Sequence, residues 1–436
     1  MPLTDFLFPP LVIKYFWQMD TTSAAAVLDK KFSSYQVIVI ILLALTQFTV
    51  VLDFMVMSPL GDMLMKSMSL TTSQFGFAVS GYAFSAGISG LLTAGFADKF
   101  DRKKLLLFFY VGFIAGTLFC GLATNYIMLL SARIITGLFG GVIGSIGMAI
   151  TADLFPLHQR GRAMGFMQMG FGASQVLGIP ISLYIANHWG WQSPFLMIVG
   201  LSFIIWLMII ARLQPVTKHL ELKTEKTAFK HLWHTIRQRN YRIGFLMTAL
   251  LSLGGFMMMP WGSAFAVNNL HISYEQLPTL FMASGVAALI IMPSVGRISD
   301  KIDKVKIFTV AAVSTLVLVI VYTNLTPVPF VLVMSLNIVM MAAIMSRIVP
   351  AMALVSALPK MQDRGAFMSI NSSLQQIAGG IAAGVGGLIV VQKTKTSPLQ
   401  HYNTLGYLIA VIIIANIIQV IRVNKLVTMQ TGSNKT

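Results

Sequence analysis

Long apolar stretches alternate with short polar connections along almost the whole chain. A helix needs about 20 apolar residues to cross the hydrocarbon core of a bilayer, and twelve such stretches follow one another from residue 36 onwards. We number them spans 1 to 12; they cover approximately residues 36–58, 74–97, 105–123, 126–152, 163–186, 194–212, 243–267, 277–296, 307–324, 328–358, 366–391 and 404–426. The pattern predicts an all-α integral membrane protein with twelve transmembrane helices.

The connections indicate how the chain is divided. Most are too short to fold alone, and only residues 213–242 form a longer polar stretch, which is typical of an amphipathic linker. The predicted units are an N-terminal segment (1–35), a six-helix bundle (36–212), the cytoplasmic linker (213–242), a second six-helix bundle (243–426) and a tail (427–436). The first segment has an apolar run with two prolines and no small-residue cleavage site, unlike a signal peptide. Either this run lies in the membrane interface, or residues 1–18 are an extension and the protein starts at Met19. We favour the second.

Charge gives the orientation. The chain has 31 Lys and Arg residues against 14 Asp and Glu residues, and only 10% of its residues are charged, too few for a soluble globular protein. With the N-terminus in the cytoplasm, only Lys66, Lys393 and Lys395 fall in outer loops, while Arg133 and Arg347 fall within spans. The positive-inside rule therefore predicts that both termini are cytoplasmic. Since the basic residues are spread over short loops, no nucleic-acid partner is needed to explain them.

The chain contains an internal repeat. The loop after span 2 begins Asp98-Lys-Phe-Asp101, and the loop after span 8 repeats the pattern 202 residues later as Asp300-Lys-Ile-Asp303. An Arg-Gly pair enters both span 5 and span 11 at nearly the same offset. These matches predict two parallel six-span halves, an architecture typical of secondary transporters.

The first of these loops, "AGFADKFDRKKLLL", resembles the signature of the major facilitator superfamily, although Ala94 and Asp101 stand where that family has glycines. The resemblance covers nearly the whole chain. It implies a latch that pairs across the cytoplasmic face in one of two rocking states, formed by Asp98, Lys99, Arg102, Lys103, Asp300 and Lys301. The alternative is a solvated basic loop that only sets topology, where exposed ion pairs contribute roughly 0–1 kcal/mol.

Spans 4 and 5 narrow the resemblance. "RIITGLFGG" in span 4 is similar to a pattern of proton-coupled members, and Gly178-Ile-Pro180 in span 5 is similar to the superfamily's antiporter motif. The resemblance therefore implies the drug:proton antiporter branch. Gly170, Ser174 and Gly178 share one helix face, for which close helix packing is the simpler explanation and a hinge that includes Pro180 an additional one.

Asp53 is the one acidic residue that falls within a span. A carboxylate at a helix centre costs about 2.5–3.5 kcal/mol on insertion scales, so a retained one suggests a function. We expect Asp53 to exchange a proton, with Arg133 of span 4 as its partner; a static ion pair or a water-exposed carboxylate at the outer mouth is the alternative. Arg347 either faces an anionic substrate group or a gate, or bonds a backbone carbonyl.

The resemblance implies a substrate cavity between spans 1, 4, 7 and 10, with spans 2, 5, 8 and 11 alongside. The expected lining combines Met, Phe and Trp with amide side chains, which is typical of an adaptable pocket for amphipathic compounds. The alternative for each residue is an ordinary position in the core or facing lipid. The candidates are Gln47, Phe54, Gln168, Gln175, Met258, Trp261, Asn337, Met341, Arg347, Asn371 and Gln375.

The predicted function is proton-coupled efflux of small lipophilic compounds across a bacterial inner membrane. We expect a monomer in the lipid bilayer that uses the proton gradient, without a cofactor or metal. A sugar or metabolite carrier of the same superfamily is the alternative. A membrane enzyme is disfavoured because the seven His residues lie in loops or at span edges, and a sensor because no sizeable soluble domain is present.

Overall fold

The computed structural model describes residues 32–94, 97–217, 220, 228–360 and 363–433. The predictions for the N-terminal segment, including the choice between Met1 and Met19, lie outside these residues. Each of the twelve predicted spans falls on helical structure. Spans 1 to 6 are Ser34–Val56, Thr72–Ala94, Arg102–Gly121, Tyr126–Leu154, Leu157–Ala173 continued by Ile179–Trp189, and Ser193–Arg212. Spans 7 to 12 are Arg239–Phe256, Leu277–Lys301, Lys304–Thr323, Phe330–Ala357, Arg364–Ile389 and Tyr402–Ser433.

Eleven helices of the described chain are long and apolar enough to cross a membrane. The helix of span 11, Arg364–Ile389, is not among them, although it has 26 residues. It carries amides and hydroxyls such as Asn371, Ser373 and Gln375, which lower its mean hydropathy. The fold is thus an all-α membrane protein in which the helix of span 11 has no stretch as apolar as those of the other spans.

Prolines interrupt two of the predicted helices. Span 5 contains a π-helical turn, Ser174–Gly178, just before Pro180, which has no N–H to donate to the preceding turn. Span 7 ends at Phe256, and a 3-10 turn, Met259–Trp261, leads into a short helix, Gly262–Asn268. A second short helix, Gly61–Met68, follows span 1. The sequence pattern had not separated these short helices from the spans and loops around them.

Polar side chains cap several of the spans at the membrane edge. The Ser33 side chain accepts a hydrogen bond from the backbone of Gln36 at the start of span 1. Asp101 caps span 3 through the backbone N–H of Lys103, and Asp303 caps span 9 through two backbone N–H groups. The second acid of the repeated loop is therefore a helix cap in both copies. Capping explains why an aspartate, Asp101, occupies a position where the family has glycine.

The spans pack mainly within two groups. We call spans 1–6 the N-terminal half and spans 7–12 the C-terminal half; the two halves meet along span 2 against span 11 and along span 5 against span 8. A Cβ at Gly387 would lie 3.2 Å from the Cα of Gly76, so the span 2 and span 11 backbones almost touch. The start of span 1 lies at the same face of the bundle as the end of span 6, since the backbone N–H of Gln214 donates to Tyr35 Oη at 3.1 Å. We call it the inner face and the opposite one the outer face, as the charge distribution predicts.

Hydrogen bonds join the halves in the outer part of the bundle. Thr72 Oγ1 donates to the carbonyl of Val390 at 2.6 Å, and Ser80 Oγ donates to the carbonyl of Gly380 at 2.7 Å. The short helix Gly262–Asn268 also touches the turn after span 1, since Ser263 Oγ donates to the carbonyl of Ser58 at 2.7 Å. The arrangement is therefore closed at the outer face.

Candidate functional site

Asp53 and Arg133 form an ion pair inside the N-terminal half. Arg133 Nη1 lies 2.8 Å from Asp53 Oδ2, and both side chains are 0% exposed. Thr117 Oγ1 of span 3 donates to the other carboxylate oxygen at 3.2 Å. Of the alternatives considered for Asp53, the structure rules out a carboxylate open to water at the outer mouth. Removing one partner of such a buried pair would leave an uncompensated charge.

Arg133 is held by one strong contact. Its guanidinium carbon lies 4.4 Å from the centre of the Tyr82 ring, so the cation also interacts with the ring face. Its Nε and Nη2 atoms have no hydrogen-bond partner within the described part of the chain. A guanidinium with three unused N–H donors on these two nitrogens can take up a new acceptor if Asp53 becomes neutral.

Close packing of spans 2 and 4 brings Tyr82 to this pair. A Cβ on Gly137 of span 4 would lie 2.2 Å from Ser85 Oγ and 2.3 Å from the carbonyl oxygen of Tyr82. Sequence reasoning missed Tyr82 and Thr117; the small residues of spans 2 and 4 were the signal that these helices approach closely. Thr117 carries no such signal.

Phe54 connects the ion pair to the other half. It follows Asp53 in span 1, and its ring lies 5.2 Å from Tyr82 and 5.8 Å from Phe256 of span 7. A movement of span 7 would therefore be transmitted to the ion pair through the Phe54 ring.

The predicted cavity residues are spread over different environments. Half-buried positions are taken by Gln47, Phe54, Gln175, Met258, Asn337, Met341 and Gln375, and Gln168 is exposed. Asn337 donates to Tyr322 Oη at 3.3 Å, and the buried Asn371 accepts from Thr248 at 2.7 Å. Trp261 is 0% exposed and packs edge-on against Phe75, so it fills the contact between the halves.

Arg347 is a second buried cation, in span 10. It is 3% exposed, and neither Nε nor Nη2 has a hydrogen-bond partner among the described residues. Its guanidinium lies 5.9 Å from the centre of the Phe308 ring, and a Cβ on Gly254 of span 7 would lie 4.0 Å from Nη2. Arg347 therefore differs from Arg133, whose guanidinium is paired with the Asp53 carboxylate.

The predicted latch is described only in part. The side chains of Asp98 and Asp300 lie outside the described residues, and Lys99 and Lys301 are exposed. Two members bond within the N-terminal half: Arg102 Nε lies 3.2 Å from Asp153, and Lys103 Nζ donates to the carbonyl of Ile210 at 2.9 Å.

The small-residue face of span 5 packs against span 1. A Cβ on Gly170 would lie 2.2 Å from the carbonyl oxygen of Ala44, and one on Gly178 would lie 2.7 Å from Leu52. Ser174 is fully buried between them and begins the π turn that precedes Pro180. Such turns occur often at functional sites, so the hinge stays a prediction beside the observed packing.

A family model described as Major Facilitator Superfamily matches residues 43–383. The chain belongs to the major facilitator superfamily. The sequence-based resemblance to this superfamily is thereby confirmed, and the protein is a membrane-embedded transporter of small molecules.

Two curated relatives and one solved structure show how this superfamily member compares. YbcL of Bacillus subtilis, an uncharacterized MFS-type transporter, is 25% identical over 86% of this chain and 94% of its own. The multidrug resistance protein MdtG of Klebsiella pneumoniae is 27% identical over 55% of this chain and 58% of its own. The crystal structure of a D-xylose–proton symporter has a TM-score of 0.73 at 17% identity, covering 87% of this chain and 97% of that one. The fold is shared across different substrates.

Proposed function

We propose that this transporter exports small lipophilic compounds in exchange for protons, with Asp53 as the proton carrier and Arg133 as its partner. The observation that carries the proposal is the ion pair, 0% exposed on both sides and 2.8 Å long, inside a transporter half. Ionisable groups inside the membrane are costly to retain and mark proton pathways in pumps and transporters.

The chemistry follows from the contacts. A proton on Asp53 neutralises the carboxylate and weakens its attraction to Arg133, which frees the guanidinium. Loss of the proton restores the pair. Because Phe54 touches both Tyr82 above Arg133 and Phe256 of the C-terminal half, the charge state of Asp53 is coupled to how the halves pack. A proton entering at 100 mV supplies about 2.3 kcal/mol, which sustains a roughly 50-fold gradient of an uncharged substrate.

The substrate class rests on the half-buried aromatic and methionine side chains of spans 1, 7 and 10. Phe54, Met258 and Met341 offer adaptable apolar surface, and the relative MdtG is named a multidrug resistance protein. The half-buried amides Gln47, Gln175 and Gln375 favour the second candidate, a sugar or metabolite.

The test is transport by purified protein in proteoliposomes that enclose a pH-sensitive dye, with chloramphenicol and ethidium as probes and D-xylose as the sugar probe. We expect the wild type to move protons against at least one lipophilic probe and Asp53→Asn to lose proton-driven accumulation. Glu275→Gln is the matched control, because this acid is exposed in a loop. If Asp53→Asn exchanged protons at the native rate, Asp53 would not be the proton carrier. If protons moved only when D-xylose was added, the sugar alternative would replace the efflux proposal.

A further inference from the structure

A second buried carboxylate lies at the outer face. Asp62, on the short helix Gly61–Met68, is 1% exposed. Lys66 of the same helix lies one turn away, with Nζ 2.8 Å from Asp62 Oδ2. Asn268 Nδ2 donates to the other carboxylate oxygen at 2.5 Å, and the Tyr274 hydroxyl also donates to Asp62. Two of the three donors thus belong to the C-terminal half.

Further bonds hold the same two residues of the C-terminal half. Lys66 Nζ lies 3.1 Å from Tyr274 Oη, and Asn187 at the end of span 5 donates to the Tyr274 carbonyl at 2.9 Å. Asn268 Nδ2 also donates to the carbonyl of Ala264 at 3.0 Å, which fixes the orientation of its amide. Burial and the bond to Asp62 raise the pKa of Tyr274 above its usual value, so its hydroxyl keeps the proton that it donates.

A dry layer lies beneath this cluster. Ser263, 0% exposed, donates to the carbonyl of Ser58, and Ser58 donates to the carbonyl of Met259. Beside them Trp261 packs edge-on against Phe75, with ring centres 5.5 Å apart. The polar cluster therefore lies over a layer that water does not reach in this state.

We propose that Asp62, Lys66, Asn268 and Tyr274 form the outer gate of the transporter, which breaks each time the halves open to the outside. The charges are arranged for reversible opening. Asp62 and Lys66 lie on one short helix and stay paired when the halves separate, while Asn268 and Tyr274 leave as neutral groups. Opening therefore leaves no charged group without its partner. If a salt bridge joined the two halves, opening would separate its two charges.

The gate does not depend on what is transported or on proton coupling. Opening at the outer face is required of exporter and importer alike, so failure of the Asp53 experiment would leave the gate intact. The alternative is a permanent brace, in which the same bonds hold the halves together in every state.

Labelling of a buried reporter distinguishes these possibilities. The chain has one cysteine, Cys120, so Cys120→Ser gives a background without thiols. Ser263→Cys then places a thiol beneath the gate, and a membrane-impermeant maleimide is added from the outer side of whole cells. Tyr274→Phe removes one oxygen atom that bonds across the halves; loss of one such net hydrogen bond is expected to raise the labelling rate about fivefold. Asp62→Asn should raise it further.

The controls make the outcome decisive. Glu275→Gln alters the exposed acid next to Tyr274 and should leave the labelling rate unchanged. The thermal unfolding of each purified variant is measured, and if Asp62→Asn fails to fold, Tyr274→Phe alone decides because it keeps the ring. Labelling of Tyr274→Phe at the rate of Glu275→Gln would overturn the gate.

Discussion

Asp53 keeps its counter-charge whichever way the two halves move, because Arg133 lies in the same half. The same holds for Asp62 and Lys66 at the outer face. Desolvation of an ion is costly and is offset only by close pairing, so a moving protein gains from pairing its buried charges within rigid units. At the outer face, each hydrogen bond described between the halves has at least one neutral partner, which is a hydroxyl, an amide or a backbone carbonyl.

The Asp53–Arg133 pair gives a prediction about stability. Arg133→Met leaves the carboxylate without its partner and is expected to lower the free energy of unfolding by about 3–5 kcal/mol. The double variant Asp53→Asn/Arg133→Met should recover most of this loss, because no charge is left unpaired. Thermal unfolding in detergent measures both. Equal losses in the single and double variants would show that packing, not charge, holds this site.

Arg347 leads to the opposite expectation. Two of its nitrogens have no partner in the described part of the chain, and no carboxylate pairs with it there. Arg347→Met fills a similar volume without a buried cation, so unfolding in detergent should need the same or a higher temperature. A clear fall in this temperature would mean that the cation has a stabilising partner. Transport of anionic probes by the variant tests its predicted role in the cavity.

At the scale of elements, span 5 shows how one helix meets both halves. Its glycine face packs on span 1, its π turn precedes Pro180, and a Cβ on Gly285 of span 8 would lie 3.1 Å from the carbonyl oxygen of Gln175 in that turn. Apolar periodicity predicted the span and its small face. Apolar periodicity could not predict the π turn, because the turn depends on which backbone carbonyls accept hydrogen bonds once the helix is packed.

Two glycines of span 5 allow a matched comparison. A Cβ at Gly170 would collide with the carbonyl oxygen of Ala44 at 2.2 Å, whereas Gly165 has no heavy atom within 4 Å of its Cβ position. Gly170→Ala should therefore cost about 1–3 kcal/mol through overpacking, and Gly165→Ala should be neutral or slightly stabilising. Thermal unfolding compares them directly. Equal stability of both variants would contradict the tight contact between spans 1 and 5.

At the scale of the molecule, two seams connect the halves, span 2 with span 11 and span 5 with span 8. Span 11 carries the polar residues that keep it below the hydropathy of the other spans, and it packs along span 2. Much of this helix is buried against another helix instead of facing lipid, so it can carry more polar residues than the spans that lie at the edge of the bundle. The offset repeats in the sequence predicted the two halves but not which helices join them.

The orientation in the membrane is a prediction for the whole chain. The basic residues of the loops place both termini in the cytoplasm. A green fluorescent protein fused after residue 436 should fluoresce, and alkaline phosphatase fused in the loop after span 11 should be active. Active phosphatase at the C-terminus together with an inactive fusion in that loop would invert the topology.

The sequence by itself determined the helices, their order and the family, because a bilayer demands long apolar runs and a repeat leaves its spacing in the chain. It also singled out Asp53 and Arg133, since ionised groups inside a membrane are rare. Only the tertiary structure decided that these two touch, that Tyr82 and Thr117 contact them, and that Asp62, which lies outside the predicted spans, is buried against the other half. Such contacts depend on how helices far apart in the chain cross, and their periodicity does not contain that information.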